Sequence, residues 1–218
     1  IWNNPVDVGG YNDKAHVVAL AKRAKAKGMK LLLDFHYSDF WTDPGKQVKP
    51  AAWKDLSFNE LQQAVYDYTA DVLNTLEAEN AYPDMVQVGN EINPGMLLPD
   101  GSNSNYDNLA ALLKKGIGAV RDTTPQGHEV KIMLHLAEGG DNSAFRSFFD
   151  AMKNRNVDYD VIGMSYYSYW HGPFNHLKNN LNDMAARYGK EVIVAETSYG
   201  YRLGDGDGFP DSFTQTEA

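Results

Sequence analysis

The chain has 218 residues, a net charge of −9, 43% hydrophobic and 22% charged residues, and no cysteine. That length holds one large domain or two small ones, and the missing cysteines rule out disulfides, thiolate metal sites and a cysteine nucleophile. The negative charge argues against nucleic acid, an anionic membrane surface and an anionic polymer as ligands, and leaves a neutral ligand open.

Ile1-Trp2 reads as the end of an apolar strand that Asn3-Asn4-Pro5 breaks, so the chain is expected to start inside an element and to say nothing about a signal peptide. Asp13 is placed to cap an amphipathic helix that Gly28 stops. Residues 29–36 form an apolar run ending in Asp34-Phe35-His36, followed by a polar, aromatic loop to Trp53. Residues 56–79 predict a long helix, with Leu61, Val65, Tyr68, Val72 and Leu76 at spacings of three and four. Residues 85–89 predict a buried strand that ends in Asn90-Glu91, with Asn93-Pro94-Gly95 as an immediate turn. A second long loop over 97–107, turning at Asp100-Gly101, leads to a helix over 109–120. Residues 130–136 predict a strand, 145–153 a helix, and 161–164 a strand that runs into Ser165-Tyr166-Tyr167. A helix over 177–188 stops at Gly189, and a last strand over 192–195 ends in Glu196. The tail from Tyr201 is rich in Gly and Asp and has no period. No run approaches the ~20 apolar residues of a membrane span.

Short apolar strands thus alternate with helices from end to end, which predicts a parallel sheet of βα units in one domain over residues 1–218. The expected strand ends are Trp2, His36, Asn90, Leu136, Tyr166 and Glu196. Each leads into a longer polar or aromatic loop, while the helix-to-strand joins are short. One-sided elaboration of this kind is what a barrel with its site at one rim produces. A closed (β/α)8 barrel needs eight strands and typically ~250 residues, so an incomplete barrel is expected. A doubly wound sheet is the alternative, but no G-x-G-x-x-G follows a strand.

Two carboxylates at two strand ends of one rim, Glu91 and Glu196, can flank a glycosidic bond. One kept protonated serves as general acid, and the other, ionised, attacks the anomeric carbon. Asp34 lies inside its strand and reads as a buried partner of a cleft residue. His135 reads as core or as a support beneath the site, and Asp141 as a turn residue. A metal-dependent hydrolase using Asp34, His36, His135 and Glu196 is a lesser alternative, since it needs a His-rich first strand that the chain lacks.

The segments LDFHYSDFWTDPGKQVKPAAW (residues 33–53), VGNEINPGMLLPDG (88–101) and GMSYYSYWHG (163–172) resemble glycoside hydrolase family 53, the endo-β-1,4-galactanases of the retaining (β/α)8 clan. The resemblance runs from Trp2 to about Asp211 and implies a TIM barrel represented by its second to seventh strands. It implies Glu91 as acid/base and Glu196 as nucleophile, with Asn90 on the sugar 2-hydroxyl and Tyr166 orienting Glu196. His36, Asp39 and Trp41 would line the cleft, with Trp170 and His171 near the cleavage point. In the tail, DGDGFPD alternates carboxylates in a way that suits a hard cation. By the same resemblance Asp205, Asp207, Phe209 and Asp211 would hold a structural calcium ion. The implied partner is neutral β-1,4-galactan, acted on by a monomer that is bacterial and secreted or held at the cell surface. A sugar-binding or catalytically incomplete fragment of such a barrel is the alternative.

Overall fold

The computed structural model describes residues 1–5 and 10–198. In chain order the elements are α1 (Lys14–Ala26), β1 (Leu32–Phe35), a 3-10 turn (Ala51–Trp53), α2 (Phe58–Ala78), β2 (Met85–Val88), β3 (Gly95–Met96), β4 (Gly101–Ser102), α3 (Tyr106–Thr123), β5 (Lys131–Leu136), α4 (Asn142–Asn154), β6 (Val161–Ser165), α5 (Phe174–Tyr188) and β7 (Glu191–Glu196). The main sheet has five strands in the order β1-β2-β5-β6-β7, every neighbouring pair parallel. Chain order and spatial order coincide, with no reversal. A doubly wound sheet would reverse at a switch point, so this is an arc of a (β/α) barrel. The strand expected at Trp2 is reduced to backbone pairing along β1. The Ile1 ammonium donates to the Asp34 carbonyl, and His36 N donates to Ile1 O.

Local chemistry sets the helix limits. Asp13 caps α1 by accepting from His16 N. Ser57 and Glu60 close a reciprocal capping box on α2, an arrangement worth about 1 kcal/mol. Asp141 is the N-cap of α4, accepting from Ala144 N, and so does more than mark a turn. Gly189 ends α5 in the left-handed conformation, φ 63°, which costs a residue without Cβ nothing. The second long loop is not wholly irregular: β3 and β4 pair antiparallel within it.

The strand pleat sorts the sequence into two faces. Leu33, Phe35, Val86, Val88, Ile132, Leu134, Leu136, Ile162 and Met164 join the helices in one apolar cluster. At about 25 cal/mol per Å², burying such side chains drives the closure of helices onto strands. The intervening positions, Asp34, Gln87, His135 and Ser165, turn to the other face and meet there through hydrogen bonds. Gly163 leaves room on that face for Met133: a Cβ on it would stand 2.4 Å from Met133 Sδ. This polar layer lies directly under the carboxyl ends of the strands.

Candidate active site

Glu91 is carried out of β2 by an abrupt change of backbone. Gly89 has φ 88° and Glu91 itself φ 49°, a left-handed conformation that costs a non-glycine residue on the order of 1 kcal/mol. Gln47, from the loop after β1, holds this turn in place. Its Nε2 lies 2.8 Å from the Asn90 carbonyl and 3.2 Å from that of Glu91. The Glu91 side chain is only 7% exposed, and Ser165 Oγ donates to its Oε1 at 2.6 Å. Burial pushes the Glu91 carboxyl from an ordinary 4.5 up to about 7. The Ser165 hydrogen bond pulls the other way, and the charges of Glu196, Asp43 and Asp34 add to the rise.

Glu196 ends β7 across the cleft. One of its oxygens, one of Glu91's and a His135 ring nitrogen all lie within 4.8 Å of one another. The phenol on Glu196 is that of Tyr167, donating to Oε2 at 3.0 Å. Tyr166, expected in that part, instead gives its hydroxyl to the Gly172 carbonyl at 2.7 Å and sits in the apolar cluster. The pleat explains the exchange: continuing the alternation past Ser165 puts Tyr167 on the inner side and Tyr166 with Met164 on the outer. Burial raises the Glu196 carboxyl too, but the Tyr167 hydrogen bond opposes the rise. Burial, then the Glu196 charge, pushes the Tyr167 phenol up to about 12, so it remains a donor.

Between the two carboxylates lies a cleft of about 410 Å³. Its walls include Trp41, Asp43, Pro44, Glu138, Tyr169, Trp170 and His171. Trp41 and Trp170 are 49% and 58% exposed, so flat apolar faces stand open in the cleft that holds the acid pair. His171 lines the same cleft and accepts at Nδ1 from Tyr167 N at 3.1 Å, and burial lowers its pKa. Asn90 is 1% exposed, with Nδ2 given to Thr42 O and Oδ1 facing Gln87 and His135. It sits beneath the cleft and is not among the residues that line it.

Two expected cleft residues do other work. His36 accepts at Nδ1 from Thr42 N and meets Asp34 Oδ2 at 3.0 Å through Nε2, so both ring nitrogens are engaged inside the protein. Asp39 accepts from the backbone of Asn4 and of Ala51, and it borders a separate small cavity beside Trp53 and Tyr68. Both residues shape the loop that presents Trp41. Asp34 is bound to its neighbours His36 and Gln87, as expected of it, but is half-buried instead of buried, its side chain keeping 26% exposure. Sequence reading passed over Tyr167, Ser165, Gln47, Asp43 and Glu138. Strand alternation could have flagged the first two, and nothing local marks the others.

Glu91, His135 and Glu196 also come close enough together to suggest an ion. The Ser165 hydroxyl, however, bridges Glu91 and His135 at 2.6 and 2.9 Å, so hydrogen bonds already close the cluster. Asp205, Asp207, Phe209 and Asp211 lie outside the described residues. A larger cleft of about 650 Å³ at the opposite end of the strands is lined by charged side chains, among which Arg121 pairs with Asp160 and Lys131 with Glu191.

Comparison with known proteins identifies a family and a fold. The sequence profile of glycosyl hydrolase family 53 matches residues 1–218. An endo-beta-1,4-galactanase of Bacillus subtilis (strain 168) is 40% identical over 95% of the chain and 48% of its own length. The solved GH53 catalytic domain of Ignisphaera aggregans superposes with a TM-score of 0.89 at 45% identity, over 96% of this chain and 59% of that one. A solved fungal beta-1,4-galactanase gives a TM-score of 0.85 at 35% identity, over 91% of this chain and 60% of that one. The chain spans about half the length of the curated relatives it matches.

Proposed function

The chain belongs to glycosyl hydrolase family 53, and from that premise we propose that it carries the catalytic machinery of a retaining endo-β-1,4-galactanase. The single observation that carries the proposal is the carboxylate pair. One oxygen of Glu91 and one of Glu196 lie within 4.8 Å of each other, a close pair that suits retention better than inversion, where ~6.5–9.5 Å between the carboxyl groups leaves room for a water. Glu91, with its pKa near 7, gives its proton to the glycosidic oxygen as the bond to the anomeric carbon breaks. Glu196 attacks that carbon with Oε1, while Oε2 is held by Tyr167. Glu91, now ionised, takes a proton from water, whose oxygen displaces Glu196 and restores both carboxyl groups.

Trp41 and Trp170 suit the apolar face of galactose, and His171 its hydroxyls. The polymer is neutral, so the chain's charge of −9 does not oppose it. The reading extends to a monomer secreted or held at the surface of a bacterium, in keeping with a polymeric substrate met outside the cell; no helix among the described residues is long and apolar enough to cross a membrane. It extends also to a structural calcium ion at residues 205–211, supported by the alternating carboxylates alone.

The test is hydrolysis of β-1,4-galactan by the chain and by Glu91→Gln and Glu196→Gln. Both variants should lose turnover while still binding galacto-oligosaccharide, and the first product should appear as the β-anomer. Near-normal turnover in either variant sinks the assignment. A second reading, a chain that binds galactan without cleaving it, is favoured by one observation: among the described residues the sheet stays open beyond β7 and, past the short pairing of residues 1–3, beyond β1. Binding without turnover in the unsubstituted chain would select it.

A further inference from the structure

An acid that becomes a base in every turnover must change charge where water reaches it poorly. Glu91 is 7% exposed, so buried neighbours have to answer each change. Ser165 is the nearest of them. Its Oγ is fully buried, 2.6 Å from Glu91 Oε1 and 2.9 Å from His135 Nε2. It has one proton to give and two neighbours that can take it.

The groups behind His135 decide which of its nitrogens is bare. Gln87 Nε2 has two protons, and it lies 2.7 Å from Asp34 Oδ1 and 3.0 Å from Asn90 Oδ1. Both are pure acceptors, and giving one proton to each leaves none for His135 Nδ1, although that atom is also 3.0 Å away. His135 Nδ1 stands 3.0 Å from Asn90 Oδ1 as well, so a proton on Nδ1 satisfies every partner on that side. A neutral imidazole carrying that proton turns a lone pair at Nε2 toward Ser165. Burial holds the ring neutral, its pKa lowered to about 4.

We propose that the Ser165 hydroxyl is a two-position hydrogen-bond donor, turned to Glu91 while that carboxyl is ionised and to His135 Nε2 while it is protonated, and that it thereby sets the acid strength of Glu91. The proposal rests on the acid/base reading of Glu91. No proton leaves Ser165 in either position. The proton that Glu91 loses goes to the leaving oxygen, and the one it regains comes from water. Serine to alanine keeps the Cβ and removes only the donor. The other groups facing Glu91 stay in place: Glu196 at the end of β7, Asp43 and Asp34 from the β1 side, His135 on β5 and Tyr167 after β6.

Carbon NMR titration of the glutamate carboxyls reads this directly, with the Glu91 signal assigned by its loss in Glu91→Gln. The midpoint is expected to rise by about one pH unit in Ser165→Ala, the worth of one charge-assisted hydrogen bond, and to stay near the unsubstituted value in Ser165→Thr. The nitrogen NMR signal of His135 Nε2 should fall in the unprotonated range and move at the Glu91 midpoint. In the active chain the alkaline limb of kcat/KM should move up with Ser165→Ala, with KM little changed. A Ser165→Ala midpoint equal to or below the unsubstituted one, or a protonated Nε2, overturns the proposal. The titrations need no turnover, so failure of the galactanase reading shows in the hydrolysis assay and failure of the hydroxyl switch shows here.

Discussion

Replacing Glu91 with glutamine should make the protein more stable, and only at high pH. Folding raises this carboxyl from 4.5 to about 7, so the folded state favours the proton. The sign follows from linkage: a group with a raised folded pKa costs nothing below its unfolded value, and the cost grows as pH climbs to the folded one. The gap between 4.5 and about 7, at about 1.4 kcal/mol per pH unit, comes to about 3 kcal/mol, fully present above about pH 7. Glutamine carries no charge, keeps an oxygen for Ser165 and relieves the repulsion from Glu196. Urea unfolding followed by tryptophan fluorescence would measure the effect. At about pH 8 the variant's midpoint should lie roughly 1 M or more above that of the unsubstituted protein, and near pH 4 the two should coincide. An equal gain at both pH values, or no gain at pH 8, would show that burial imposes no charge cost on Glu91. The physical case for its being the acid would then be lost.

Tyr167→Phe removes the hydrogen bond that holds the Glu196 pKa down, so the acid limb of the pH–rate profile should move to higher pH and kcat should fall roughly tenfold to a hundredfold; an unchanged profile would return the part to another residue. His36→Ala leaves Asp34 Oδ2 and the Thr42 amide without their His36 partner, while Asp34 Oδ1 keeps Gln87, and should cost about 2–3 kcal/mol in denaturant unfolding, with little change in KM for short oligosaccharides. A large KM effect at unchanged stability would put His36 back in the cleft. If residues 205–211 hold calcium, a chelator should lower the thermal midpoint and leave the initial rate on galactan at 25 °C unaltered. An immediate loss of rate would point to a metal in the chemistry.

Alternation of short apolar runs with amphipathic helices was enough to name a βα architecture, because burial imposes periods that the chain itself carries. The same holds for two of the caps: Asp13 and Gly189 act within one turn of their own position. Glu91 and Glu196 were legible because a charged residue directly after an apolar strand has few reasons to be there. The family resemblance supplied galactan, which no spacing could name.

What the tertiary structure alone decided concerns pairs of residues far apart in the chain. Whether His36 meets sugar or protein depends on Asp34 beside it and on a loop that folds back to offer the Thr42 amide. Gln47 looks like any loop glutamine until the loop brings it under the strained turn at Glu91. Tyr166 and Tyr167 are adjacent and alike, and only the pleat of β6 sends one to the core and the other to Glu196. Ser165 and His135 gain their meaning from a hydrogen-bonded layer that four strands build together. Local sequence fixes a residue's own conformation and face. Its partners, and with them its charge state and its chemistry, follow only once the strands stand side by side.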